Sequence, residues 1–463
     1  MNQLSINIHL VTFLSINGVH FVLATVYPPM DVFITKSKPD LGFMDIRPGE
    51  WVVIKPNLVK ESKENDPAEW ECVITSPAII SLVCEYVCEK LGGSGRVTIC
   101  DAPQTDSSFR KIAQLLNLEG IAARCQKKYG TEVEIVDLRN EEWVSDSGVI
   151  TKREKLKGDP RGAVVFNLGE QSLFCGHKGE GHYYGADYNS DVVNRHHYGK
   201  IHEYLICATP ILADVFINLP KMKTHKKTGV TLSLKNLVGI NADKNWLPHH
   251  TEGSPRSGGD QFPNLKIWQM IEQRAAYFSR KLAMEFPDIG PKLSQKLRKA
   301  GTVAFGAGDR VIRSGNWYGN DTAWRMVLDL NRCLLYGNPD GTLRMKSPKR
   351  CYSLIDGIVG MGGNGPMQGD SVNSNVVIGG KDPVAVDMVA ARVMGFDWRR
   401  IPVIREALSI DAFPITNCLP ADVNVVSDIP DWSGPFLEVE RRNFLKFRPH
   451  FGWTGHIEYQ PGL

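Results

Sequence analysis

Residues 51 to 101 spell a strand, a helix and a second strand in close succession. "WVVIKPN" is an apolar run that ends in Lys55-Pro56-Asn57. "TSPAIISLVCEYVCEKLGG" follows, with Thr75 or Ser76 as N-cap, Pro77 in the first turn, apolar Ile80, Val83, Val87 and Leu91, and Gly92 at the stop. "RVTIC" comes next and ends at Asp101. Two strands joined this way are parallel and their crossover is right-handed, so the unit points to an α/β sheet.

The pattern recurs. "VEIVD" ends in Asp137, "ADVFIN" ends before Pro220-Lys221, "YSLID" ends in Asp356, and "NVVIGG" leads into Lys381-Asp382. The continuation "DPVAVDMVAARVMG" has Asp382 as N-cap, Pro383 at the first helical position and Gly395 as stop. This alternation predicts an α/β fold with a mostly parallel sheet and helices on both faces. In such sheets ligands bind beyond the carboxyl ends of the strands, where Lys55, Asn57 and Asp101 share one rim.

A chain of 463 residues has room for one large domain with insertions. We divide it into an N-terminal segment, 1–44, packed on the main domain; an α/β domain, 45–420, with insertions at about 160–204 and 250–330; and an irregular C-terminal extension, 421–463. The first insertion is rich in Gly, Tyr and His, and the second contains an amphipathic helix, "NLKIWQMIEQRAAYFSRKLAMEF".

A net charge of +3 and no long block of one sign leave no electrostatic footprint for nucleic acid. The ten cysteines are scattered, the closest pair being Cys84 and Cys88, so neither a zinc site nor an iron–sulfur cluster is expected. They read as buried small hydrophobes in a cytoplasmic protein. Polar interruptions among the first apolar residues argue against a signal peptide or a membrane span.

Chemistry concentrates in "LPKMKTHKKTGVTLSLKNLVGI", residues 219 to 240, which carries five lysines at the mouth of a strand. Lys226 and Lys227 read as solvated loop. Lys221 and Lys223 suit an anionic substrate group, with Thr231 as a further contact. Lys235 lies in a Gly/Thr/Ser-rich segment that runs into apolar residues. A lysine in partly desolvated surroundings has a lowered pKa and acts as base or nucleophile, while His225 shuttles protons at neutral pH.

"IDGIVGMGGNGPMQGD" supplies Gly360, Gly362, Gly363 and Gly365, whose backbone N–H groups could close on an anion as a nest. Its spacing is not that of a Walker loop. Asp356 and Asp370 flank the segment and either balance the lysines or hold a metal. In "NWLPHHTEG", either His249 or His250 is a candidate metal ligand or proton carrier.

The motifs "VVIKPNLV", "NLPKMKTHKKTGVTLSLKNLVGI", "LPHHTEG", "GNWYGNDTAWRMVLDLNR", "DGIVGMGGNGP" and "GGKDPVAVDMVAARVMG" together resemble the domain of unknown function 362 family, over about residues 45 to 410. Some members are fused to ferredoxin-type iron–sulfur modules, whose cluster-binding cysteines this chain lacks. More narrowly, His225-x3-Gly229-x-Thr231-x3-Lys235 is similar to the His-x3-Gly-x-Ser-x3-Lys core of lactate-racemase-like enzymes. That resemblance implies a nickel-pincer nucleotide tethered by Lys235, His225 as acid/base, and a nickel ligand near His249 or His250. Leu232-Ser233-Leu234 replaces the Gly-Gly-Arg usual before that lysine.

The expectation is therefore an enzyme acting on a small carboxylate- or phosphate-bearing molecule. His225 and Lys235 transfer protons, Asp101 or Asp370 orients a base or a divalent metal, and lysines and glycines hold the anion. Two alternatives stay open: a nickel-pincer-dependent racemase or epimerase, and a non-catalytic anion-binding protein.

Overall fold

The computed structural model describes residues 14–16, 19–21 and 31–460, apart from 65, 147–148, 186–189, most of 265–310, 346–347 and 443. The amphipathic helix expected at 264–286 lies almost wholly outside the described residues.

The central sheet has 11 strands, numbered here in chain order. They are β1 (Asp31–Thr35), β2 (Trp51–Pro56), β3 (Arg96–Asp101), β4 (Glu132–Asp137), β5 (Val215–Leu219), β6 (Lys221–His225), β7 (Gly229–Thr231), β8 (Arg350–Gly362), β9 (Asp370–Gly380), β10 (Asn424–Ser427) and β11 (Gly434–Pro435). Across the sheet the order is β11-β10-β1-β9-β8-β5-β2-β3-β4, with β6 paired to β7 and β8. β8, β5, β2, β3 and β4 run parallel, whereas β9 is antiparallel to both neighbours. The fold is α/β with a mixed, mostly parallel sheet.

The predicted βαβ unit forms as β2, helix α1 (Pro77–Leu91) and β3. The Ser76 side chain accepts from the N–H of Ala78, and Gly92 ends the helix at φ 58° in the left-handed region. Alternation along each strand feeds two cores. Val52 and Ile54 pack with α1 and helix α2 (Leu118–Tyr129) on one face. Val53 and Phe216 pack with helices α4 (Ala323–Tyr336) and α5 (Pro383–Val393) on the other. The short helix α3 (Ser233–Asn236) lies on this second face.

Both ends of the described chain contribute strands to the central sheet. Residues of the N-terminal segment form β1, buried throughout, between β9 and β10. The C-terminal extension, read as irregular, supplies β10 and β11. In the first insertion Ala163–Asn167 and Ile201–Cys207 pair as part of a separate three-stranded sheet. No helix among the described residues is long and apolar enough to cross a membrane.

Candidate functional site

The basic stretch is a strand where a loop was expected. Pro220 has no N–H to give the ladder, so β5 breaks there, and the chain continues along β8 as β6. All five residues of β6 are buried. Met222 enters the core beside α4 and α5, while Lys221 and Lys223 turn to the α1 side. Hairpin partner β7 places Thr231 opposite Lys223.

Two of the lysines are neutralised by carboxylates. Lys221 Nζ lies 2.8 Å from Asp356 Oδ2, and the same carboxylate accepts the backbone N–H groups of Ser76 and Ile358. Lys55 Nζ lies 2.7 Å from Asp101 Oδ1, while Asp101 Oδ2 accepts the N–H of Leu58. Gly239 covers this second pair, and a Cβ there would overlap Asp101 Oδ1 and crowd Lys55 Nζ. Asp101 is thus the counter-ion of Lys55 and the tie of the Leu58 backbone.

Three asparagines bind these elements into one network. Asn236 Oδ1 accepts from Lys55 Nζ at 3.2 Å and from Asn57 Nδ2 at 2.8 Å. Its Nδ2 donates to Asn218 Oδ1 at 2.7 Å, and Asn218 Nδ2 donates to the Ser233 carbonyl. Lys223 Nζ donates to Asn57 Oδ1 at 2.8 Å and to the Val73 carbonyl at 2.7 Å, with no carboxylate bonded to it among the described residues. Burial, followed by the charge of Lys221, lowers Lys223 to about 7.

Lys235 stands apart from the paired lysines. It sits on α3, whose first N–H groups are held by a buried carboxylate: Asp387 accepts from Ser233 N at 2.7 Å and from Leu234 N at 3.0 Å. Asn331 of α4 donates to the Leu234 carbonyl. Among the described residues only the like charges of Lys244 and Lys55 act on Lys235 beyond burial, and together they lower it to about 7. Lys235 is half-buried.

The histidines divide between faces. The strand Pro248–Thr251 sends His249 and His250 to opposite sides. His250 stacks on Tyr184 with centroids 4.9 Å apart, whereas His249 feels the charge of Lys235. His225 feels it too. Burial first, and then Lys235, hold both imidazoles well below the ordinary histidine value, so both are neutral at pH 7. Their tautomers are complementary. His225 Nδ1 accepts the N–H groups of Lys227 and Thr228, which leaves the proton on Nε2. His249 Nδ1 lies 3.0 Å from the Leu247 carbonyl, which fixes the proton on Nδ1 and the lone pair on Nε2. Thr231 Oγ1 is buried with no hydrogen-bond partner among the described residues.

The glycine segment does not form the expected nest. Gly360 and Gly362 are ladder residues of β8 paired with β9. The N–H of Gly363 donates to the Arg448 carbonyl and that of Gly365 to the Gly363 carbonyl, so neither is available to an anion. The glycines serve close packing instead: Gly360 lies against Phe447 and Met222, Gly365 against Thr224. Asp370 is on the surface in an ion pair with Arg448. Asp370, His249 and His250 therefore do not converge as metal ligands; among the described residues the one group of three or more suited to a metal is Cys84, Cys88 and Cys125.

Lys226 is exposed as expected, but Lys227 donates to the His249 carbonyl and to His250 Nδ1. Asp387, Asn218, Asn236 and Asn331 were missed by sequence reasoning. Asp387 sits in the middle of a helix, "PVAVDMVAARV", whose other residues are apolar except Arg392 in its last turn, and this was the available signal.

Residues 52–159 and 177–392 match the family described as domain of unknown function (DUF362). The chain belongs to this family. The region shared with DUF362 takes in every side chain of the lysine and asparagine network, from Lys55 to Asp387. Curated proteins give no match. Among solved structures, a crystal structure of a protein from Thermotoga maritima is similar at 10% identity with a TM-score of 0.27, over 68% of this chain and 47% of that one. This DUF362 member thus spans about half the length of that protein.

Proposed function

We propose that this DUF362 member binds a small carboxylate- or phosphate-bearing molecule in the cleft around Lys235 and transfers a proton on it. One observation carries the reading: Lys55 and Lys221 each have a buried carboxylate, and Lys235 has none among the described residues. A lysine lowered to about 7 is split between amine and ammonium at neutral pH, so it serves as base or nucleophile, or as a cation awaiting an anion. His225 Nε2–H is a donor for developing charge, His249 Nε2 is an acceptor, and the Thr231 hydroxyl is a further polar contact. Divalent-metal chemistry on protein ligands alone stays outside this reading, because no group of three or more His, Cys, Asp or Glu includes His249 among the described residues.

The test is solvent exchange. A panel of small 2-hydroxy, 2-amino and phosphorylated carboxylic acids is incubated with the protein in deuterated water and followed by proton NMR. Loss of a carbon-bound proton signal that persists with no enzyme but disappears with it identifies the substrate class. Lys235→Met is expected to abolish exchange. Retained ligand-induced thermal stabilisation without exchange in the wild type would favour the binding-protein alternative.

A further inference from the structure

Three thiols meet away from the lysine cleft. Cys84 and Cys88 stand one helical turn apart on α1, and Cys125 faces them from α2. Their sulfurs all lie within 4.8 Å of one another, and all three residues are buried. We propose that Cys84, Cys88 and Cys125 form a three-coordinate thiolate site for Cu(I).

The geometry suits a planar trigonal ion. Three sulfurs bonded to one metal at about 2.3 Å stand about 4.0 Å from each other, so the observed cluster needs only a small contraction. Zinc in structural sites takes four ligands, and no fourth Cys, His, Asp or Glu joins this group among the described residues. Soft thiolates in low coordination select Cu(I). Sequence spacing hid the site because Cys125 is remote from the other two and arrives only when α2 packs on α1.

Binding is balanced as three thiols and one Cu⁺ giving a tris-thiolate complex of charge −2 and three protons released to solvent. Arg124 and Lys128, on the outer side of α2, lie beside Cys125 and offset that charge, while Glu85 beside Cys88 opposes it.

The experiment titrates the reduced full chain anaerobically with Cu(I) against the chromophoric chelator bathocuproine disulfonate. The wild type is expected to withdraw one equivalent, and X-ray absorption at the copper edge to show three sulfurs at about 2.3 Å. Cys125→Ser and Cys84→Ser should each weaken binding on the order of 100-fold or more. Cys175→Ser, which removes an exposed thiol, should leave it unchanged. The proposal is overturned if the wild type leaves all Cu(I) with the chelator, or if Cys125→Ser binds as tightly as wild type. Fewer than three sulfurs in the absorption spectrum also overturns it, and that readout stands even where a serine variant does not fold.

Discussion

Asp387 accepts a 2.7 Å hydrogen bond from the backbone N–H of Ser233, and this contact fixes the helix that carries Lys235. The carboxylate is wholly buried and burial raises it to about 7, with the N–H groups of Leu234 and Ser233 acting against that rise. Asp387→Ala is expected to lose about 1–3 kcal/mol for each N–H left without an acceptor, read as a lower urea midpoint. An unchanged midpoint would mean that water takes over the cap.

The depressed lysines give stability a pH slope. Lys223 and Lys235 release their protons near pH 7 in the folded state, whereas in the unfolded chain they hold them to about 10.5. Above pH 7 the unfolded state therefore binds more protons, and stability rises with pH. Buried thiols such as Cys351, pushed up to about 12, act the opposite way above about pH 8.5, so the comparison belongs between pH 7 and about 8. Lys223→Met and Lys235→Met should each flatten the slope in urea melts over that interval. Equal slopes in wild type and both variants would place these lysines at their ordinary values.

Lys221 is predicted to be structural. Lys221→Met strands the Asp356 carboxylate in the interior and should cost about 3–5 kcal/mol. Adding Asp356→Leu should recover most of that loss, because two apolar groups need no counter-charge. A double mutant no more stable than Lys221→Met would instead show that Asp356 is needed for its bonds to Ser76 and Ile358.

Gly363 separates packing from binding. It adopts φ 71°, so Gly363→Ala should destabilise by about 1–2 kcal/mol. Its N–H is already given to Arg448, so phosphate affinity by calorimetry should not change. A large loss of affinity would restore the nest.

What could be read from the sequence was local. The Ser76 and Asp382 caps, Pro77, Pro383 and Gly92 declare helix ends through one or two residues each, and those ends form as expected. The rim was legible too, since parallel strands bring Lys55 and Asp101 together. Partner choice was not. Nothing near Lys55 or Lys221 in the sequence says that each has a carboxylate while Lys235 does not, because Asp101 and Asp356 arrive from strands 46 and 135 residues away and Asp387 caps α3 from 154 residues away. The glycines misled for a related reason. A nest and a crowded strand both demand a missing Cβ, and only the destination of the N–H groups tells them apart.

The position of β1 governs the order in which the sheet can be completed. Asp31 pairs with Asn424 and Ile34 with Ser427, while Thr35 pairs with Val377, so both neighbours of β1 are made long after it. During synthesis β1, with Val32, Phe33 and Ile34 in it, therefore has both rows of backbone donors and acceptors unpaired until β9 is made, and is an edge until β10 follows. Such an edge is a template for another nascent copy or a substrate for a chaperone until β10 emerges from the ribosome. A stop codon before residue 424 would leave it open for good.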